Sequence, residues 1–241
     1  MSHRVAGFRS TTSQIVFVFG KIAFALPEVP VIIGTRISLS CHSGLPPDFL
    51  NWLGSWIKGK AIPTSCQLAL FGIDHKEKAR YDLKSCSIAS IEFPTLDAAL
   101  PQPARLKVTL QAISVTQLLL GGQAAPPTFF PPKMWRCSDF KLLLTDVETS
   151  KVSHIDPICV VSPGSLPHLN VQVASVLAPS WSGWKNKGTS VPGSIRYFFA
   201  DLKSILLTLS FTAKLVSIPS LPQGLQFPAE ILVTSPGLKV G

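Results

Sequence analysis

Little in this chain invites catalysis. Its 241 residues hold no Gly-x-Ser-x-Gly elbow, no Gly-x-x-x-x-Gly-Lys-[Ser/Thr] loop and no His-Glu-x-x-His pair. That excludes the hydrolase, phosphate-loop and zincin classes that depend on those spacings. None of the 13 carboxylates forms a close pair within an apolar run, so no acid/base couple with split pKa values is expected. The five cysteines (Cys41, Cys66, Cys86, Cys137, Cys159) are odd in number and scattered, with no Cys-x-x-Cys. They read as small apolar core residues in a reducing compartment rather than a disulfide framework or a zinc site. His42 follows Cys41, but neighbours on a strand point to opposite faces and would not meet as a nucleophile and base. His154 and His168 lie on loops without a ligand set. The expectation is no enzyme, no cofactor and no metal.

Long apolar runs are also missing. No stretch approaches the roughly 18–20 residues of a membrane-spanning helix. Residues 15–26 (IVFVFGKIAFAL) resemble a secretory signal, yet Lys21 interrupts them and no convincing cleavage site follows. They read instead as two short strands turning at Gly20 and Lys21.

What remains is a core-rich chain. Apolar residues make up 46% and charged residues 15%, with a net charge of +9; there is ample material for a core. The length suits two domains. Residues 1–120 carry 12 basic and 7 acidic side chains and the remainder 10 and 6. So even a spread is unlike the clustered stripe of a nucleic-acid reader, although an assembled particle would present a basic inner surface to a polyanion.

Residues 66–110 organise the reading. An apolar run (67–71), a charged turn (74–78), a half-polar strand (79–85), a strand ending on Pro94 (88–93) and an alternating strand (105–110) follow one another. Upstream, residues 36–41 alternate as a half-buried strand. Residues 45–60 (LPPDFLNWLGSWIKGK) switch period: Phe49, Trp52, Leu53 and Trp56 share one helical face. Pro46, Pro47 and Asp48 suit the first turn, and Gly59 suits the stop. The helix is expected to lie across the sheet.

The second half follows the same order. A strand (169–173), a Trp-bearing segment (179–187), a strand (194–200), a turn (201–203) and strands at 204–211, 215–219 and 229–234 answer their counterparts. Seven matches in one order indicate tandem duplication. The domains are placed at 1–120 and 135–241, with a Gly/Pro-rich connector at 121–134 packed by Phe129, Phe130 and Trp135. The fold expected is mainly β: two tandem barrel or sandwich domains, each with one short flanking helix.

These residues resemble the tail tube proteins of contractile phage tails and of extracellular contractile injection systems. The similarity rests on FLNWLGSWIKGK, on LALFGIDHKEKARYDLKSCSIASIEFPTLDA followed by RLKVTL, and on WRCSDFKLLLTDVETSKVSHIDPICV and GSIRYFFADLKSILLTLSF. Residues 1–30 and 220–227 do not follow the pattern. The resemblance implies a structural subunit that closes into rings of an inner tube, tube initiator or baseplate hub. Its partners would be copies of itself, adjacent tube or hub proteins, and DNA or protein cargo in the lumen. Its place would be a virion tail or injection particle assembled in the bacterial cytoplasm.

Such a subunit would have strand borders completed by its own copies, either as three chains with pseudo-six-fold symmetry or as six chains with stacked domain layers. Asp74, Lys76, Glu77, Lys78 and Arg80 form either a solvated hairpin tip or a ring-stacking contact. On the second reading, reversing Lys76, Lys78 and Arg80 to Glu leaves the subunit folded and blocks stacking. Trp52, Trp56, Trp181 and Trp184 are candidate core aromatics. In the rival reading, a secreted β-sandwich binding module, they are ligand platforms.

Overall fold

A computed structural model describes residues 12–42, 44–118, 135–219 and 224–240. The connector and the first eleven residues therefore lie outside the described residues. The first half contains β1 (Thr12–Phe19), β2 (Ile22–Leu26), β3 (Val31–Ile33), β4 (Arg36–Cys41) and helix α1 (Pro47–Ile57). It continues through β5 (Thr64–Gly72), β6 (Glu77–Phe93), β7 (Leu96–Asp97), β8 (Leu106–Gln111) and β9 (Ser114–Leu118). The second half contains β10 (Trp135–Leu144), β11 (Val152–Ile155), β12 (Ile158–Val160) and β13 (Leu169–Ala174). Helix α2 (Ala178–Lys187), β14 (Val191–Phe199), β15 (Ile205–Ser217) and β16 (Gln226–Val240) complete it. The protein is mainly β, with a nearly closed, barrel-like sheet.

Local chemistry explains most of these elements. In β4 the alternation of Arg36, Ser38 and Ser40 with buried Ile37, Leu39 and Cys41 gives the sheet one wet face and one dry one. Gly20, at φ 60°, supplies the left-handed residue of the two-residue loop between β1 and β2. Helix α1 opens on Pro47, whose missing N–H costs nothing in a first turn. It ends where Gly59, at φ 71°, donates its N–H to the Trp56 carbonyl.

Two pairs of expected strands are single strands. Residues 79–85 and 88–93 belong to the 17-residue β6, and the strands expected at 204–211 and 215–219 merge into β15, Ile205–Ser217. Ser85, at φ 51°, sits at the break where β6 changes partners. Before it β6 pairs with β9, and after it with β8. A bulge of this kind lets one strand bend from one side of a barrel to the other without ending.

The first sheet runs β2-β1-β5-β6-β8-β4-β3, with β9 and β12 also on β6; the second runs β10-β14-β15-β16-β13-β11-β7. Six strands thus stand in the same order in each half: β1-β5-β6-β8-β4-β3 matches β10-β14-β15-β16-β13-β11. In both halves the helix joins the fifth strand of this order to the second, β4 to β5 and β13 to β14.

The halves trade strands. β7, from the first half, pairs with β11, while β12, from the second, pairs with the end of β6. The segment after β7 also pairs with β10: Pro103 bridges Arg136, and Ala104 donates its N–H to the Trp135 carbonyl. Residues 96–104 therefore span the gap between the two end strands of the second sheet. This corrects the expectation that all strand borders wait for another copy; those of the second half are covered from within the chain. Phe93 stacks on Tyr197, and Trp135 meets Tyr197 edge-on, so one core runs through both halves.

Helix α1 covers its own half with one face. Phe49 packs against Phe17 and Phe24, and Trp52 against Phe19. With the other it lies against β16 of the second half, rather than only across its own sheet. A Cβ at Gly54 would come within 3.0 Å of the Leu238 carbonyl oxygen. Gly54→Leu is expected to force α1 off β16 and to cost about 1–3 kcal/mol, as overpacking generally does. Urea unfolding midpoints of the two proteins measure it.

Candidate assembly surfaces

The charged turn divides into two parts. Asp74 accepts a 2.8 Å bond from Lys78, and both remain about half exposed. The Asp74 carboxyl is held below the usual carboxylate range by Lys78 and by the Lys76 backbone N–H. Exposed pairs of this kind contribute about 0–1 kcal/mol. Glu77 is different: its side chain is 1% exposed, and Arg80 grips both of its oxygens, at 2.7 and 2.8 Å. Glu77 and Arg80 are therefore a fold-bearing pair, not part of a free tip. Reversing Arg80 would damage the subunit itself, which corrects the expectation for the triple reversal.

The four tryptophans are buried, at 8% exposed or less. Three of them anchor their indole N–H on backbone: Trp52 on the Ile62 carbonyl, Trp181 on Glu148 and Trp184 on Thr189. Rings so placed offer no stacking platform to a ligand. Burial likewise pushes the Cys41 thiol up to about 12 and lowers the pKa of His42. Cys66 is raised by its hydrogen bond with Cys86 and by burial. Such thiols hold their protons and do not act as nucleophiles. Among the described residues no group of three His, Cys, Asp or Glu side chains is placed to hold a metal ion, and no helix is long and apolar enough to cross a membrane.

A polar seam that sequence reading missed lies where β7 meets β11. His154 reaches Asp97 through Nδ1 and Asp156 through Nε2, both at 3.1 Å. Asp97 also accepts the Ala99 N–H at 2.8 Å. Beside it, Glu230, the hydrogen-bond partner of His168, lines with His154 and Asp156 a surface groove of about 530 Å³. Only the His-Ile-Asp run at 154–156 hinted at this, because its decisive partner, Asp97, is 57 residues away.

The Ala99 N–H and His154 lower the Asp97 pKa. A carboxylate depressed in the folded state stabilises above its unfolded value and loses that contribution as pH falls through its folded value. Acid is therefore expected to loosen the seam first. The protection of the Ala98 and Ala99 amides against hydrogen exchange, after correction for the intrinsic rate, should fall at acid pH, and Asp97→Asn should flatten the change.

Several strand edges of the first half remain uncovered among the described residues. β3 carries Val31 and Ile33, each 56% exposed. It holds the place in the first sheet that β11 holds in the second, where β7 covers the edge. β9 pairs with β6 on one side, and its Thr116 and Gln117 are exposed. Comparison with protein-family models and with curated proteins finds no match to this chain.

Proposed function

We propose that this protein is a structural, non-enzymatic subunit that assembles with its own copies into a ring, as in the inner tube, tube initiator or baseplate hub of a phage tail or contractile injection particle. The observation that carries this reading is the contact of α1 with β16. It joins the helix of one half to a sheet border of the next, two units with the same strand order. A contact between unlike surfaces of like units is heterologous, and it closes into a ring when the rotation divides the circle. Three chains, each filling two of six positions, use this contact directly and are favoured over six chains in stacked layers.

The uncovered edge of β3 supports the same reading. Its counterpart, β11, is completed by a segment from the preceding half, and an unpaired apolar edge is otherwise an aggregation hazard. The place of such a subunit is the virion tail or injection particle. Its partners are adjacent tube or hub proteins, with DNA or protein cargo inside. A secreted binding module draws no support from the tryptophans, which are buried.

Light scattering after size-exclusion chromatography, with negative-stain microscopy, tests the proposal. A trimer or hexamer with an axial hole is the expected result. A chain that remains monomeric at every concentration overturns it.

A further inference from the structure

Aligning the two helices on their closing glycines, Gly59 and Gly188, both left-handed at φ 71° and 61°, brings Trp52 onto Trp181 and Gly54 onto Gly183. Both tryptophans are buried beneath their helices. The two glycines differ in one respect. Gly54 is pressed against the Leu238 backbone, whereas a Cβ at Gly183 would meet nothing within 4 Å. Glycine in a helix interior is the poorest helix former after proline. In α1 its small size admits the strand of the next half. In α2 the same small residue faces an open groove of about 290 Å³, lined by Asp146, Val147, Trp184, Lys187 and Val191.

The strand that would fill this place can be read from the register. Leu238 stands opposite buried Leu209, one residue on from the pair Ser210 and Gly237 at the bend of β15. In the first half, Val115 stands opposite buried Leu83, one residue on from the pair Lys84 and Ser114 at the bend of β6. The end of β16 and the strand β9 thus occupy equivalent positions, each beside the first part of the long bent strand of its half. The end of β16 is covered by α1; on β9, Val115 is only half-buried and Thr116 and Gln117 are exposed, and Ile113, just before it, is 77% exposed.

We infer that α2 of one copy docks on β9 of the next, with Gly183 admitting the backbone at half-buried Val115, as Gly54 admits the backbone at Leu238 within the chain. The occupant of the groove is therefore a second copy. This rests on the ring-forming reading above and names the surface through which the ring closes. Since α2 and β9 are unlike surfaces, the contact runs head to tail.

The test uses two full-length variants, Gly183→Leu, which fills the groove, and Val115→Arg, which places a charge on the strand face to be covered. Neither position is buried, so each variant is expected to keep the wild-type far-ultraviolet and tryptophan circular dichroism. Each alone should run as a monomer by light scattering. Mixed, they should form a one-to-one heterodimer that grows no further, because Gly183→Leu retains an intact β9 and Val115→Arg an intact α2. If the wild type assembles and both variants assemble equally well, this contact is wrong while self-assembly stands. If both variants are folded monomers that do not pair on mixing, the proposed pairing of these two surfaces is wrong. A wild type that never assembles overturns the ring reading and this inference with it.

Discussion

Arg80→Met is expected to destabilise the protein by about 3 kcal/mol, because it strands the buried carboxylate of Glu77 without its partner. Removing one member of a buried ion pair costs about 3–5 kcal/mol, since the charge left behind has lost both water and its counter-ion. The lower end applies here. Arg80 is 27% exposed, so water can move in where the guanidinium was. The double variant Glu77→Leu with Arg80→Met should recover most of the loss, as a buried pair replaced by apolar side chains is often neutral. By contrast, Lys76→Glu, on the exposed turn just before β6, should change stability by no more than about 0.5 kcal/mol, as surface substitutions usually do. Urea unfolding of the three variants decides the matter. Equal midpoints for Arg80→Met and Lys76→Glu would show that the turn is solvated throughout.

Trp181→Ala carries the other large effect, about 3–5 kcal/mol, the range for emptying a buried Trp or Phe site. Trp181 is 0% exposed, meets Trp184 and Phe227 edge-on and donates its indole N–H to the Glu148 carbonyl at 2.9 Å. The substitution therefore opens a cavity and also orphans a carbonyl. Trp181→Phe retains much of the ring volume and loses the hydrogen bond, so it should cost less, about 1–2 kcal/mol for the unpaired acceptor. Acrylamide quenching provides an independent check on the native protein. A buried indole stays shielded from it; strong quenching of all five tryptophans would contradict this packing and return the rings to the role of ligand platforms.

The sequence announces one of these two residues and not the other. Trp181 sits in a segment whose neighbours Ser182, Lys185 and Lys187 look solvated, yet the likeness of that segment to the Trp-bearing helix of the first half marks it as a core aromatic, and it is buried. Glu77 falls in a turn-like run because its five neighbours at 74, 75, 76, 78 and 80 are all charged or polar. Its burial follows from the side of β6 on which it falls and from Arg80 folding back three residues to meet it. A side chain of that charge is seldom buried without such a partner, so nothing short of the paired geometry could have announced it.

The amino-acid order by itself determined the mainly β character, the α1 helix with its proline start and glycine stop, the turn at Gly20 and the strand of residues 36–41. These depend on period, sterics and the backbone freedom of single residues, all of which act over a few positions. Tertiary structure alone decided that β6 and β15 run unbroken through a bend, that β7 and β12 cross between halves, and that Asp97 meets His154. Backbone hydrogen bonding is nearly blind to side-chain identity. Which edge a strand completes is therefore settled by where the whole chain closes, and a pattern of apolar and polar residues leaves it open.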